Sequence, residues 1–155
     1  MNIEQTIRQY LPNIIHMSLA TVADGKPWAF EVHYAFDDEL NLYWVSEQTA
    51  RHSQELMANP HVSGTIVTQH IPDQPPLGVS FEGTVEVLED IGTDHPGFKA
   101  YAARFASRAQ IVEDDYIERT PTGRRIYKVT VNDYYLSGVI DGKMGKEHLP
   151  WKTKD

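Results

Sequence analysis

The order of apolar and polar residues predicts that most of this chain forms β-strands. In residues 28–36, aromatic and branched side chains alternate with smaller or polar ones, so one face of the strand is apolar. Asp24-Gly25 and residues 37–39 predict turns on either side of this strand, and the proline-rich residues 71–78 predict a surface connection. Other segments rich in strand-forming residues are 16–22, 40–46, 61–68, 79–88, 124–131 and 134–139.

Three short segments have the apolar spacing of a helix instead. They are residues 3–11, 50–58 and 97–109. Arg104 and Arg108 lie one turn apart on the third of these, and we assign them to its solvated face. Six or seven antiparallel strands with few helices predict a mainly β fold, a small barrel that the chain forms as one domain, residues 1–155.

Composition narrows the classes of function. The chain has 155 residues, of which 41% are hydrophobic and 23% charged, which fits one ordinary domain. The formal net charge of -8 opposes nucleic-acid binding, and the absence of cysteine excludes disulfides, thiolate metal sites and cysteine nucleophiles. No apolar run approaches the ~18 residues that a membrane span needs, so we expect a cytoplasmic protein that does not enter a membrane.

The junction between the strand at 40–46 and the next helix concentrates polar groups. Ser46, Thr49, Arg51 and His52 occur within seven residues, near the start of the predicted helix. Unpaired amide N–H groups at a helix start attract anions, and a guanidinium adds charge-assisted hydrogen bonds. We therefore predict a site for a phosphorylated small molecule. The alternative is that Thr49 only caps the helix and that Arg51 pairs with Glu55 or stays in solvent.

Three consecutive segments resemble a known family. They are PWAFEVHYAFDDELNLYWVS, TARHSQELMANPHVSGTI and GVSFEGTVEVLED. In this order they resemble the pyridoxamine 5'-phosphate oxidase-like split-barrel flavoproteins, over roughly residues 14–90, and the rest of the chain is similar to a small uncharacterised bacterial branch of that family. The resemblance implies a split β-barrel of the FMN-binding type and a homodimer that holds FMN between its subunits.

The resemblance also implies which residues contact the cofactor. The turn after the strand holds the FMN phosphate in relatives of this kind, and the preceding strand lies along the isoalloxazine ring. The implied residues are Val45, Ser46, Thr49, Arg51 and His52 around the phosphate, and Glu31, Val32 and His33 along the ring. From the residues alone, a solvated or interface face is an equal explanation for Glu31 and His33, which point away from the predicted core.

Departures from the oxidases limit the activity that the resemblance implies. LGVSFEG at residues 77–83 lacks the basic residue and glutamine of those enzymes, and their Arg-plus-His arrangement near the C-terminus is not evident. We therefore expect an FMN-dependent oxidoreductase or flavin reductase that does not oxidise vitamin B6. Its small-molecule substrate is unknown, NAD(P)H is a candidate electron donor, and no residue is assigned as catalytic acid or base.

Other functions stay open on the sequence. A deazaflavin or a heme would suit the same cleft, with His33 as a candidate axial ligand, and a non-catalytic flavin-binding module or a barrel without cofactor would share the fold. Seven histidines include no HExxH, so no metal site is predicted. Lys143 and Lys146 are assigned to a flexible solvated tail, although they have the charge to contact a phosphate.

Overall fold

One antiparallel sheet contains the strands of the computed structural model, which describes residues 1–152. The strands are β1 (His16–Ala23), β2 (Lys26–His33), β3 (Ala35–Phe36), β4 (Leu42–Glu47), β5 (His61–Val67), β6 (Leu77–Leu88), β7 (Arg124–Ile140) and β8 (Lys143–Pro150). The helices are α1 (Ile3–Tyr10), α2 (Arg51–Ala58), α3 (Pro96–Arg104) and α4 (Ala106–Ile117). The spatial order is β2-β1-β5-β6-β7-β4-β3, and β8 also pairs with β7.

The two ends of this sheet are consecutive in the chain. β2 begins the spatial order and β3 ends it, and only Tyr34 separates them. The sheet must therefore curl until its ends meet, which makes a split barrel. Tyr34 is fully buried and its hydroxyl donates to the carbonyl of Leu11 at 2.7 Å. The prediction of a mainly β split barrel is confirmed, but the strand predicted at 28–36 is broken at this tyrosine.

The longest strand, β7, joins the two halves of the sheet. Its first part pairs with β4, its last part pairs with β8, and its other edge pairs with the whole of β6. We predicted two strands here, at 124–131 and 134–139. The structure joins them through a bulge at Asn132, because Glu82 pairs with Asp133 while Gly83 pairs with Val131. Joining these two strands, breaking one at Tyr34 and adding β8 change the seven predicted strands into eight within residues 1–152.

Two apolar clusters stabilise the sheet from opposite sides. The larger lies inside the curl and includes Trp44, Phe81 and Tyr134. The smaller lies between the sheet and the α3–α4 pair and includes Tyr43 and Tyr101. Because successive side chains of a strand point to opposite faces, β4 contributes to both clusters and is buried on both sides.

The helical region and the C-terminal region differ from the prediction. The helix predicted at 97–109 is two helices that meet at Phe105, whose φ of -134° and ψ of 56° are not helical. The residues predicted as a flexible tail form β8, whose side chains are almost all exposed, so no apolar alternation marks it in the sequence. None of the helices within residues 1–152 has the length and apolar character needed to cross a bilayer.

Arg104 is not on a solvated face, as we had predicted. Its guanidinium donates to the carbonyl oxygens of Tyr34 at 3.0 Å and Ile14 at 2.7 Å, and lies 4.9 Å from the centroid of the Tyr34 ring. A guanidinium has five N–H donors, so one side chain can bind several carbonyls at once. Arg104 therefore fastens α3 to the break between β2 and β3.

Close packing at Gly64 gives a test of the curled sheet. A Cβ atom at Gly64 would lie 2.4 Å from Cζ of Phe81 and 2.6 Å from the carbonyl oxygen of Ser18. We expect Gly64→Ala to lower the free energy of unfolding by about 1–3 kcal/mol, because the core must move to accept the methyl group. Gly145→Ala is the matched control, since a Cβ there meets nothing within 4 Å. Urea unfolding of both variants measures the difference, and equal effects would contradict the packing.

Candidate functional site

The polar junction lies where β4 ends and α2 begins. The N-cap of α2 is Ala50, and no side chain within residues 1–152 caps the helix. Thr49 is exposed and does not act as the cap, which contradicts one of the alternatives above. The amide groups of the first turn therefore have no side-chain acceptor among the described residues.

His52 is the second residue of α2, and its imidazole is an uncharged group. Its ring stacks on Phe30 of β2, with centroids 4.0 Å apart and planes within 9°. Its Nε2 is 2.5 Å from the hydroxyl oxygen of Ser46. Burial lowers the pKa of His52. The imidazole is thus neutral near pH 7 in the free protein, and it offers a hydrogen bond instead of a second positive charge.

Arg51 carries the charge at the junction. Its Nε donates to Oε1 of Glu55 at 2.8 Å, and its guanidinium carbon lies 4.0 Å from the ring centroid of Trp28. Oε2 of Glu55 accepts from the hydroxyl of Thr21 at 2.5 Å, and the bonds from Thr21 and Arg51 lower the pKa of Glu55. The predicted alternative of an Arg51–Glu55 pair is therefore present.

This pairing does not occupy the whole guanidinium. The two Nη groups of Arg51 make no hydrogen bond to other described residues, and 53% of the side chain is exposed. A guanidinium that stacks on an aromatic ring keeps its in-plane N–H groups directed outward. Arg51 can therefore bind an anion while Glu55 and Trp28 hold its orientation.

Strand β2 provides an open edge beside the junction. Within residues 1–152 it pairs only with β1, so every second N–H and C=O of its backbone faces away from the sheet. Glu31 is on the outer face, where its Oε1 accepts from the hydroxyl of Ser18 at 2.5 Å. Val32 packs against the core.

His33 ends this strand within a small basic cluster. Its Nε2 lies 3.1 Å from Nε2 of His16, and its ring stacks on Phe105 at 5.3 Å. An Nη group of Arg108 contacts its Nδ1, and Arg108 is exposed, as predicted for the solvated face of this helix. Burial and the charge of Arg108 lower the pKa of His33. His33 is therefore neutral and uses both ring nitrogens in contacts.

The predicted residues divide into three groups. Ser46, Arg51 and His52 come together, with Thr49 exposed beside them. Glu31 and His33 lie farther along β2, with Val32 between them facing the core. Val45 packs with the α3–α4 cluster, on the opposite face of β4 from Ser46, so its side chain does not join the junction.

Sequence reasoning missed three residues that shape the junction. They are Thr21, Trp28 and Phe30 in the roles described above. The signals for two of them were present, because Trp28 and Phe30 alternate on one face of β2. Nothing in the sequence marks Thr21, which reaches Glu55 only through the packing of α2 on β1.

A family model for pyridoxamine 5'-phosphate oxidase matches residues 3–138. The chain belongs to this family. A UPF0306 protein of Photorhabdus laumondii is 31% identical over 86 residues, which are 55% of this chain and 60% of that protein. The chain thus spans less than two thirds of this curated relative. Membership in this family agrees with the resemblance of the three sequence segments.

Solved structures with the same fold have different ligands in their names. A heme-binding protein from Mycobacterium smegmatis aligns with a TM-score of 0.69 and 19% identity, over 92% of this chain and 55% of its own. An FAD-binding protein from Mesorhizobium loti aligns with a TM-score of 0.66 and 19% identity, over 86% of this chain and 90% of its own. Both likenesses concern the fold. Among residues 1–152, no group of three or more His, Asp or Glu side chains is arranged to hold a metal ion.

The neutral His52 predicts a pH-dependent stability. Its folded pKa is below the unfolded value of about 6.5, so the unfolded state binds more protons as the pH falls through that value. The contribution of neutral His52 to the free energy of unfolding should therefore be greatest above pH 6.5. It should decrease as the pH falls below 6.5, until His52 is also protonated in the folded state. We expect His52→Gln to flatten this decline in urea unfolding between pH 8 and 5.

A control variant compares His52 with an exposed histidine. His61 is exposed at the start of β5, and we expect His61→Gln to keep the pH slope of the unmodified chain. If His52→Gln kept the same slope as well, the burial of a neutral His52 would not be the cause of the decline.

Proposed function

We propose that this chain binds FMN and acts as a flavin-dependent oxidoreductase on a small molecule. The observation that carries this proposal is the junction of β4 and α2, where Arg51, His52, Ser46 and uncapped amides meet beside the open edge of β2. Membership in the pyridoxamine 5'-phosphate oxidase family supports a flavin, and the FAD-binding protein of the same fold supports it as well.

The phosphate would bind at the first turn of α2. Arg51 offers its two Nη groups, the helix start offers amides, and Ser46 and His52 offer a hydroxyl and an imidazole 2.5 Å apart. A dianion near the half-buried imidazole would favour its protonated form and so raise the pKa of His52. The set of donors therefore fits a phosphate better than a neutral group.

The isoalloxazine ring would lie along β2. Arg51 is above Trp28, and His33 follows Trp28 by five residues, about 17 Å at the usual rise of a strand. This span is comparable to that of an extended FMN molecule. The open backbone edge of β2 offers N–H and C=O groups to the pyrimidine end of the ring, which carries matching polar atoms.

A second subunit would complete the cofactor site. The outer face of β1, β5 and β6 has a shallow depression of about 430 Å³ lined by small side chains, including Ser18, Ala20, Ser63 and Thr65. A flat ring on one exposed strand would keep one side in water, which makes a weak site. We therefore propose a homodimer whose partner covers the open face of the ring.

The flavin, when bound, would supply the chemistry of hydride transfer. The role of this chain is to place it: Arg51 and the helix start hold one end, and β2 orients the other. The substrate is a small molecule, and NAD(P)H is the candidate donor of electrons. We propose no vitamin B6 oxidation, because Leu77 and Gly78 stand where the oxidases have a basic residue and a glutamine.

Heme is a second candidate because of the pair His16 and His33. Neutral imidazole is the form that binds iron, and a heme-binding protein shares the fold. However, Nδ1 of His33 contacts Arg108 and its Nε2 contacts His16. A heme would have to displace one of these partners, whereas FMN would need no such rearrangement at the junction.

A ligand panel tests the proposal against its alternatives. We expect FMN to raise the thermal midpoint of the purified chain more than riboflavin does, and to give a flavin spectrum that persists after gel filtration. Oxidation of NAD(P)H by the loaded protein would separate an enzyme from a non-catalytic binding module. Tight hemin binding with no response to FMN would favour heme as the cofactor. No response to either ligand would mean that the barrel binds neither of these cofactors.

The charge of Arg51 predicts a selective loss of affinity. We expect Arg51→Ala to weaken FMN binding by about 2 kcal/mol, because a charge-assisted contact with the phosphate is lost. Riboflavin lacks the phosphate, so its affinity should stay nearly constant. Isothermal titration with both ligands measures the two effects.

Arg8 provides a matched control for this experiment. It also pairs through Nε with a glutamate one turn away, Glu4 at 2.9 Å, and it lies 5.4 Å from the ring centroid of Trp151. We expect Arg8→Ala to leave both affinities unchanged. Equal losses of FMN affinity in the two variants would mean that Arg51 acts through general stability or charge.

A further inference from the structure

A second cavity lies on the other side of β4, between the sheet and the α3–α4 pair. Its volume is about 300 Å³, at the small end of the range for ligand pockets. Its lining combines an apolar surface with three polar side chains: Val45, Ile111 and Val112, and Tyr101, Arg108 and Arg124. A cavity of this kind suits a small ligand with an apolar body and one charged group.

The two arginines of this cavity differ in their partners. Arg124 is paired with Asp115 at 3.2 Å and with Glu47 at 3.6 Å. Arg108 has no carboxylate within 4.0 Å among residues 1–152, and its partner is the neutral ring of His33. The chain has 22 acidic residues and 14 Lys and Arg residues, so carboxylates are in excess. Arg108 nevertheless has no acidic partner among residues 1–152.

The apolar part of the cavity extends to the protein surface. Ile111 is 49% exposed at its rim, while Val112 and Tyr101 are buried within it at 1% and 4% exposed. Arg108 is exposed beside this isoleucine, and its charge has no carboxylate partner among residues 1–152. A ligand that carries a carboxylate on an apolar body would cover the isoleucine and pair with the guanidinium.

We propose that this cavity binds a small carboxylate with an apolar body, held by paired hydrogen bonds from Arg108. Arg108 also contacts His33, the residue of β2 at which the flavin ring would end. The bound carboxylate would therefore lie next to the ring, and we assign it as the substrate. The role as substrate rests on the proposed flavin site, whereas binding of the carboxylate does not.

Benzoate, acetate and inorganic phosphate are suitable probes for isothermal titration of the full chain. We expect benzoate to bind with saturation and more tightly than acetate, because only benzoate has an apolar body. Arg108→Gln should weaken benzoate binding about tenfold or more, since a charge-assisted pair is lost. Ile111→Gln should weaken benzoate more than acetate.

A control and two contrary outcomes complete this test. Arg119 is an exposed arginine beyond the end of α4 and outside the cavity lining, so Arg119→Gln should leave benzoate binding unchanged. No saturable benzoate binding, or equal losses in the two arginine variants, would overturn the proposal. Phosphate binding as tight as that of benzoate, and weakened equally by Arg108→Gln, would overturn the assignment to an apolar carboxylate.

Titration with FMN separates this inference from the proposed function. If benzoate binds through Arg108 and FMN does not bind, the carboxylate site stands and its role as a flavin substrate site is wrong. If FMN binds and benzoate does not, the flavin proposal stands and the carboxylate site is wrong.

Discussion

The contact between the first turn of α2 and strand β2 is the constraint on which the proposed site depends. His52 stacks on Phe30 and Arg51 stacks on Trp28, each at 4.0 Å, while Glu55 ties the same helix to Thr21 of β1. These contacts hold a helix start and one guanidinium against the open edge of the sheet. Without them the charged groups would be separate surface residues, and the anion site would have no fixed geometry.

The curl of the sheet makes this contact possible. Because β2 leads directly into β3, the two ends of one sheet must meet. Helix α2, which follows β4, then packs against the inner side of β1 and β2. Arg104 fastens the break at Tyr34 from outside, through backbone carbonyls. The α3–α4 pair that carries Arg104 also lines the second cavity. The two proposed sites therefore lie on opposite faces of β4, and both are near β2.

Sequence predicted those parts of the fold and site that depend on neighbouring residues. Alternation predicted strand β2, and the resemblance predicted the family, which is confirmed. The order Ser46, Arg51, His52 predicted that these residues meet at one junction, and phosphate binding there stays a prediction. Exposed β8 has no alternation to reveal it, and the break at Phe105 has neither glycine nor proline. The neutral state of His52 and the contacts of Arg104 and Arg108 depend on residues distant in the chain, which local patterns do not encode.

The most direct measurement is a crystal structure of this chain grown with FMN. The account predicts that the phosphate lies at the first turn of α2, within hydrogen-bonding distance of the Nη groups of Arg51, and that the ring follows β2 toward His33. A phosphate bound elsewhere, or a ring that does not contact β2, would contradict it.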